Sequence, residues 1–155
     1  MDVAYINPFI RGIREVFTSM VKIPFTIGRP ALKDHEQRLD RLFKISAVIQ
    51  LSGQTAGQVV LSLSEPVALA LSSAIAGTEM TELNADCKDA LAEITNMIAG
   101  SAKKELPGGQ VTLEIPKVLD TGKVAYPPNQ PVIAMPLDTP SGRFLLEISL
   151  SRRAA

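Results

Sequence analysis

The segment from Asp86 to Glu105, DCKDALAEITNMIAGSAKKE, is the feature that most restricts how this chain can fold. Apolar residues recur in it at helical spacing, and at 3.6 residues per turn they form one stripe that must pack against other elements. These residues are Cys87, Leu91, Ile94, Ile98 and Ala102. The segment therefore predicts a long amphipathic helix with one side in a hydrophobic core.

A second stripe, on the opposite side of this predicted helix, consists of Asp89, Glu93, Asn96 and Gly100. Asn has a low helix propensity, and Gly in a helix interior costs about 1 kcal/mol relative to Ala. Local helix stability therefore does not account for this composition. Asp89 also has an ordinary interpretation, because the helix macrodipole favours an acidic residue in an early turn.

The composition predicts a single domain over residues 1–155, since 46% of the chain is hydrophobic and can form a substantial core. The 16 Lys and Arg residues balance the 16 Asp and Glu residues, which argues against nucleic acid or an anionic membrane as a partner. No segment approaches the run of about 18 apolar residues that spans a membrane. Met1 to Gly12 lacks the pattern of a signal peptide, which predicts a cytoplasmic location.

The single cysteine and the single histidine both have ordinary interpretations. Cys87 lies on the apolar stripe, which favours a buried thiol over a nucleophile. His35 lies in the polar run from Lys33 to Arg41, which is typical of a solvated connection. The sequence shows no convincing cluster of metal ligands, and we expect no metal bound by this chain alone.

The other segments alternate between helical and extended patterns. The predicted elements are a helix from Val3 or Pro8 to Lys22, a short extended segment from Ile23 to Leu32, a hairpin of Phe43–Leu51 and Gln58–Ser64, a helix from Pro66 to Ala76, a strand from Gln110 to Ile115, a connection from Lys117 to Gln130, and a hairpin of Pro131–Leu137 and Arg143–Leu150.

This order occurs twice, at about residues 3–64 and 86–151, with the helix that ends at Ala76 between the two parts. We therefore predict an α/β (α+β) fold, a pseudo-duplicated domain in which long helices pack on an antiparallel β-sheet. Arg11, Glu15 and Thr18 have the spacing of Asp89, Glu93 and Asn96. The first part thus has a hydroxyl where the second has a carboxamide.

That difference matters for phosphoryl chemistry. A carboxamide accepts a hydrogen bond from water while its NH₂ group donates to a phosphoryl oxygen, and it does so without titrating. Glu93 lies one turn before Asn96 and is suited to pairing with a cation on a docked protein.

The segment Asp89 to Gly100 resembles the Asp/Ser-x-x-x-Glu-x-x-Asn signature of the CheC/CheX/FliY chemotaxis phosphatases, and CheX most of all. The resemblance extends over nearly the whole chain. It includes the helix around Asn7, the Thr26–Pro30 segment, the Gly57–Leu63 strand, the segment that begins at Ser64, and Pro116-Lys117-Val118.

The resemblance implies a CheC-like fold and a hydrolase that removes phosphate from the aspartyl phosphate of a CheY-like response regulator. It implies that Glu93 and Asn96 are catalytic, with Asn96 orienting water and Glu93 anchoring the regulator. Asp89 and Gly100 would border the docking face. Mg²⁺ would belong to the receiver domain of the regulator. Because Thr18 stands in the first part where the second part has Asn96, the resemblance implies a single active site.

The family also suggests a homodimer, for which exposed sheet edges are a reasonable joining surface. Two other functions stay open at this point. One is a non-catalytic adaptor that binds a receiver domain through the same helix. The other is a structural role in a flagellar switch, since FliY combines this domain with others.

Overall fold

The structure is a computed structural model that describes residues 3–33 and 43–152. His35 and nearly all of the predicted solvated connection lie outside the described residues. The helices are α1 (Val3–Val16), α2 (Glu65–Ala76) and α3 (Ala85–Lys103). The strands are β1 (Thr26–Ile27), β2 (Ala31–Leu32), β3 (Ile45–Gly53), β4 (Thr55–Leu63), β5 (Val111–Leu113), β6 (Lys117–Asp120), β7 (Ile133–Thr139) and β8 (Gly142–Arg152).

All eight strands belong to one antiparallel sheet in the order β1-β7-β8-β4-β3-β5, with β2 also on β7 and β6 also on β3. Alternating residues of the long central strands point to one face, where the three helices cover them. Phe144, Leu146, Ile148 and Leu150 of β8 illustrate this pattern, since each is buried in the core shared with the helices. The predicted α+β fold, with helices packed on an antiparallel sheet, is confirmed. The division into two repeats remains a prediction.

The predicted connection between the strands of the first hairpin is wrong in length. We expected a loop from Ser52 to Gly57, yet β3 continues to Gly53 and β4 begins at Thr55. Gly57 has a φ of +142°, and a Cβ atom there would lie 2.0 Å from the carbonyl oxygen of Ser149. Glycine thus marks the close approach of β8 within the sheet, whereas in the sequence it indicated a loop.

The connection predicted from Lys117 to Gln130 is also wrong at its start, because Lys117–Asp120 forms the edge strand β6. Lys117 and Asp120 at the two ends of β6 are exposed and the two residues between them are half-buried, so the strand lacks the alternation of buried and exposed residues that indicates a strand in the sequence.

Helix α1 includes Val3, which agrees with the earlier of the two predicted starts. The later predicted start, Pro8, is wrong because Pro8 lies inside α1. A π-helical turn, Phe17–Val21, extends the helix. Lys22 then ends it in the left-handed conformation, with a φ of 57°, and its N–H donates to the Phe17 carbonyl.

Candidate functional site

Helix α3 is fixed at its start by local capping. The side chain of Asn84 accepts a 3.0 Å hydrogen bond from the backbone N–H of Cys87. Asp86 in the first turn and Lys103 in the last turn have the charges that the helix dipole favours. The helix therefore begins and ends close to the predicted positions, Asp86 and Glu105.

The apolar stripe of α3 is buried, as predicted. Cys87, Leu91, Ile94, Ile98 and Ala102 each expose at most 1% of their surface. The Cys87 thiol lies 3.0 Å from the hydroxyl of Ser72 on α2. Burial of this stripe fixes the rotation of α3 about its axis, and the opposite stripe must then point away from the core.

Glu93 and Asp89 are exposed, and Asn96 and Gly100 are half-buried. Glu93 and Asn96 are three residues apart on a continuous α-helix, which brings their Cβ atoms to about 5–6 Å. Within the described part of the chain, neither side chain forms a hydrogen bond or an ion pair. A carboxylate and a carboxamide are thus available together to a docked molecule.

Gly100 and Gly12 have different surroundings. A Cβ atom on Gly12 would lie 2.9 Å from the carbonyl oxygen of Ile98, so glycine is needed where α1 crosses α3. A Cβ atom on Gly100 would meet nothing within 4 Å. Packing inside this chain therefore does not explain Gly100, which lies one turn after Asn96 on the outward side.

Two side-chain contacts beside Gly12 join α1 to α3 and to the turn that follows α3. Arg11 Nε donates to both carboxylate oxygens of Glu105, at 2.9 and 3.1 Å, and Ser101 Oγ donates to Glu15 Oε2 at 2.6 Å. Arg11 and Glu15 are therefore engaged within the chain. Sequence reasoning missed Ser101 and Glu105, because their role depends on how the two helices pair in space.

Thr18 is exposed, but it lies in the π-helical turn. A π-turn has more residues per turn than an α-helix, so Thr18 is rotated relative to Glu15 by a different angle than Asn96 is relative to Glu93. The matching spacing in the sequence therefore does not give matching geometry in the structure.

The remaining chemistry lies away from this helix. A hydrogen bond from Arg143 lowers the pKa of Asp138; loss of solvent around the carboxylate opposes this effect, and the positive charge of Arg143 adds to it. In residues 3–33 and 43–152, no group of three His, Cys, Asp or Glu side chains is placed to hold a metal ion. None of the helices described is long and apolar enough to cross a membrane.

Residues 45–138, more than half of the chain, match the sequence model of the chemotaxis phosphatase CheX. The chain belongs to the CheX family. This result confirms the resemblance seen around Glu93 and Asn96. Comparison with curated proteins gave no significant match.

Solved structures of similar fold agree with the CheX assignment. A CheC-like superfamily protein from Shewanella sp. PV-4 is 27% identical, with a TM-score of 0.82 over 97% of this chain and 99% of the other. The chemotaxis protein CheX from Desulfovibrio desulfuricans is also 27% identical, with a TM-score of 0.81 over 96% and 99%.

A more distant fold relative is CheX from Borrelia burgdorferi, solved in a complex with CheY, BeF₃ and Mg²⁺. It is 20% identical, with a TM-score of 0.78 over 96% of this chain and 98% of the other. This likeness concerns the fold. It assigns no role to an individual residue of this CheX-family chain.

Proposed function

We propose that this protein removes the phosphoryl group from the aspartyl phosphate of a CheY-like receiver domain, with the outward side of α3 as its active surface. One observation carries the proposal: Glu93 and Asn96 lie one turn apart on the side of α3 away from the core, and neither is bound to another described residue. Membership of a phosphatase family supports this assignment.

Asn96 has the role of positioning the attacking water. Its amide oxygen accepts a hydrogen bond from the water, and its NH₂ group donates to a phosphoryl oxygen. The water oxygen attacks phosphorus, the bond from phosphorus to the aspartate oxygen breaks, and inorganic phosphate leaves. Both hydrogens of the water end on the inorganic phosphate, which releases one to solvent near neutral pH, and the receiver recovers a free carboxylate. Asn96 itself gains and loses no proton.

Glu93 has the role of anchoring the receiver. Its carboxylate is exposed and points in the same general direction as Asn96, so a lysine beside the phosphorylated aspartate can pair with it. Asp89, one turn earlier, adds negative charge to the same border. Gly100, one turn after Asn96, lets the receiver backbone approach α3 closely, since no side chain fills the space there.

Mg²⁺ is assigned to the receiver domain. Asp89 and Glu93 lie on the outward side of α3, and they belong to no three-residue ligand group in the described chain. A CheX of the same fold was solved together with CheY, BeF₃ and Mg²⁺, which supports the arrangement in which the metal arrives with the partner. The chain therefore adds positioned groups to a site that the receiver has already partly assembled.

The test compares phosphate loss with binding. A receiver phosphorylated on its aspartate should lose phosphate faster with the wild-type protein, and Asn96→Ala should abolish most of this acceleration. Binding to the same receiver loaded with beryllofluoride and Mg²⁺ should remain close to wild type for Asn96→Ala and should weaken for Glu93→Ala. Gln110→Ala and Glu114→Ala remove an exposed carboxamide and an exposed carboxylate elsewhere, so both should behave like the wild type.

Two results would reject the proposal. If the wild type binds receivers without changing the rate of phosphate loss, the chain is an adaptor. If Glu93→Ala and Asn96→Ala retain full acceleration, the active surface lies elsewhere. Testing all CheY-like receivers of the host would identify the substrate.

We also propose that the protein forms a homodimer through a sheet edge. The outermost strands of the described sheet are β1 and β2 on one side and β5 and β6 on the other. Such edges keep unpaired backbone groups that a second copy can use. Light scattering on the purified protein should give twice the chain mass, and a monomer at micromolar concentration would reject this proposal.

A further inference from the structure

The sheet face that points away from the helices is buried although it carries polar side chains. This face is the second set of alternating residues on β3, β4 and β8. Its fully buried polar members, each at most 3% exposed, are Ser46, Gln58, Ser62, Glu147 and Ser149. Buried polar groups need partners, and here the partners come largely from one segment of the chain.

That segment, residues 121–132, connects β6 to β7 and crosses the face; we call it the strap. Each of the three central strands contributes a polar side chain that bonds to it. The bonds are Ser46 Oγ with Thr121 Oγ1 at 3.0 Å, Gln58 Nε2 to the Ala125 carbonyl at 3.0 Å, and Ser149 Oγ to the Pro131 carbonyl at 3.1 Å. The strap is thus fastened at both ends and near its middle.

A buried ion pair lies under the strap. The side chains of Lys33 and Glu147 are only 9% and 1% exposed, and the Lys33 ammonium group bonds to Glu147 Oε2. Tyr126 of the strap donates a 2.8 Å hydrogen bond to Glu147 Oε1. The ammonium group also lies 3.3 Å from the Tyr126 hydroxyl and 4.6 Å from the centre of its ring.

Lys33 also connects the strap to the edge of the sheet. It directly follows β2, and its backbone N–H donates to the carbonyl oxygen of Val132 at 2.8 Å. Strands β1 and β2 each pair with β7 through only two residues, which makes this edge weak by itself. One residue therefore joins the edge strand β2, the strap and the central strand β8.

We propose that Lys33 fastens the strap and the edge strands β1 and β2 into one conformational unit, which opens locally while the helix layer stays folded. Removing the ammonium group leaves Glu147 as a buried charge without its cation, which favours the open state. Helix α3 lies on the other face, where its apolar residues pack in the core that the helices share with the sheet. Segments with separate contacts open in separate units.

Amide hydrogen exchange measured by mass spectrometry tests this proposal on the full chain. In Lys33→Met, peptides from residues 26–32 and 121–132 should exchange about tenfold faster or more, while α3 peptides keep their wild-type rates. The double variant Lys33→Met/Glu147→Leu replaces both charges with apolar groups, so its strap should exchange more slowly than that of the single variant. Arg11→Met breaks the exposed pair with Glu105 and should leave the strap unchanged.

Equal acceleration in the strap and in α3 would overturn the proposal, because the pair would then stabilise the whole fold. Unchanged exchange in the strap of Lys33→Met would overturn it as well. If Lys33→Met does not fold, Tyr126→Phe provides the test, since it removes the hydroxyl that bonds to Glu147 and to Lys33 and leaves the buried ion pair in place. It should accelerate exchange in residues 26–32 and 121–132 by a smaller factor, and wild-type exchange in these segments would count against the proposal.

Discussion

Ser101 Oγ donates a 2.6 Å hydrogen bond to Glu15 across the contact between α1 and α3. In the predicted repeat, Glu15 is the counterpart of Glu93. Ser101 lies eight residues after Glu93. The residue eight positions after Glu15 is Ile23, whose side chain cannot donate a hydrogen bond. Ile23 therefore cannot form the equivalent hydrogen bond to Glu93. As a result, Glu15 is engaged within the chain while Glu93 is available to a partner.

This asymmetry predicts that Thr18→Asn does not create a second active site. The new carboxamide would lie in the π-helical turn, away from the geometry of Asn96, and its neighbouring carboxylate would be held by Ser101. We expect Thr18→Asn to accelerate phosphate loss as the wild type does. In an Asn96→Ala background, it should restore nothing. Recovery of even a tenth of the wild-type acceleration in that double variant would contradict the prediction.

The two helix glycines predict opposite effects of substitution by alanine. Gly12→Ala places a methyl group 2.9 Å from the Ile98 carbonyl, and we expect it to lower the free energy of unfolding by about 1–3 kcal/mol, as overpacking does. Gly100→Ala meets open space and should raise the free energy of unfolding by up to about 1 kcal/mol through helix propensity. Urea denaturation measures both.

Gly100→Ala should nevertheless weaken binding to the beryllofluoride-loaded receiver, because its methyl group projects into the proposed docking surface. A variant that is more stable and yet binds less tightly would separate a docking role from a structural one. Unchanged affinity would remove Gly100 from the proposed surface.

Asn96→Asp tests the donor half of the carboxamide. The substitution keeps the shape and an acceptor for water, but it loses the NH₂ donor and adds a negative charge next to the phosphoryl oxygens. We expect the acceleration of phosphate loss to fall by about 10²–10³-fold, the range seen when one donor to a developing oxyanion is removed. Quench-flow measurement of phosphoryl-receiver decay gives this ratio, and a loss of less than threefold would show that the donor is not needed.

The extent to which sequence predicted this molecule differs between its elements. Helix α3 was predicted closely because its buried apolar stripe has a fixed period that is visible locally in the sequence. Strand β6 was missed because its pairing with β3 depends on residues far away in the chain. The same holds for the site: the outward direction of Glu93 follows from helical period, whereas the engagement of Glu15 by Ser101 requires the α1–α3 crossing.

Lys22 provides a prediction about stability at the end of the π-helical turn. Its φ of 57° lies in the left-handed region, which costs an L-residue about 1–2 kcal/mol and costs glycine little. Lys22→Gly keeps the N–H that bonds to the Phe17 carbonyl and relieves this strain, although glycine also gives the unfolded chain more freedom. We expect a net rise in the free energy of unfolding of about 0.5–1 kcal/mol, measured by urea denaturation.

The matched change Lys88→Gly, at an exposed position in α3, should lower that free energy by about 1 kcal/mol. Equal losses in both variants would show that the left-handed conformation at Lys22 carries no strain.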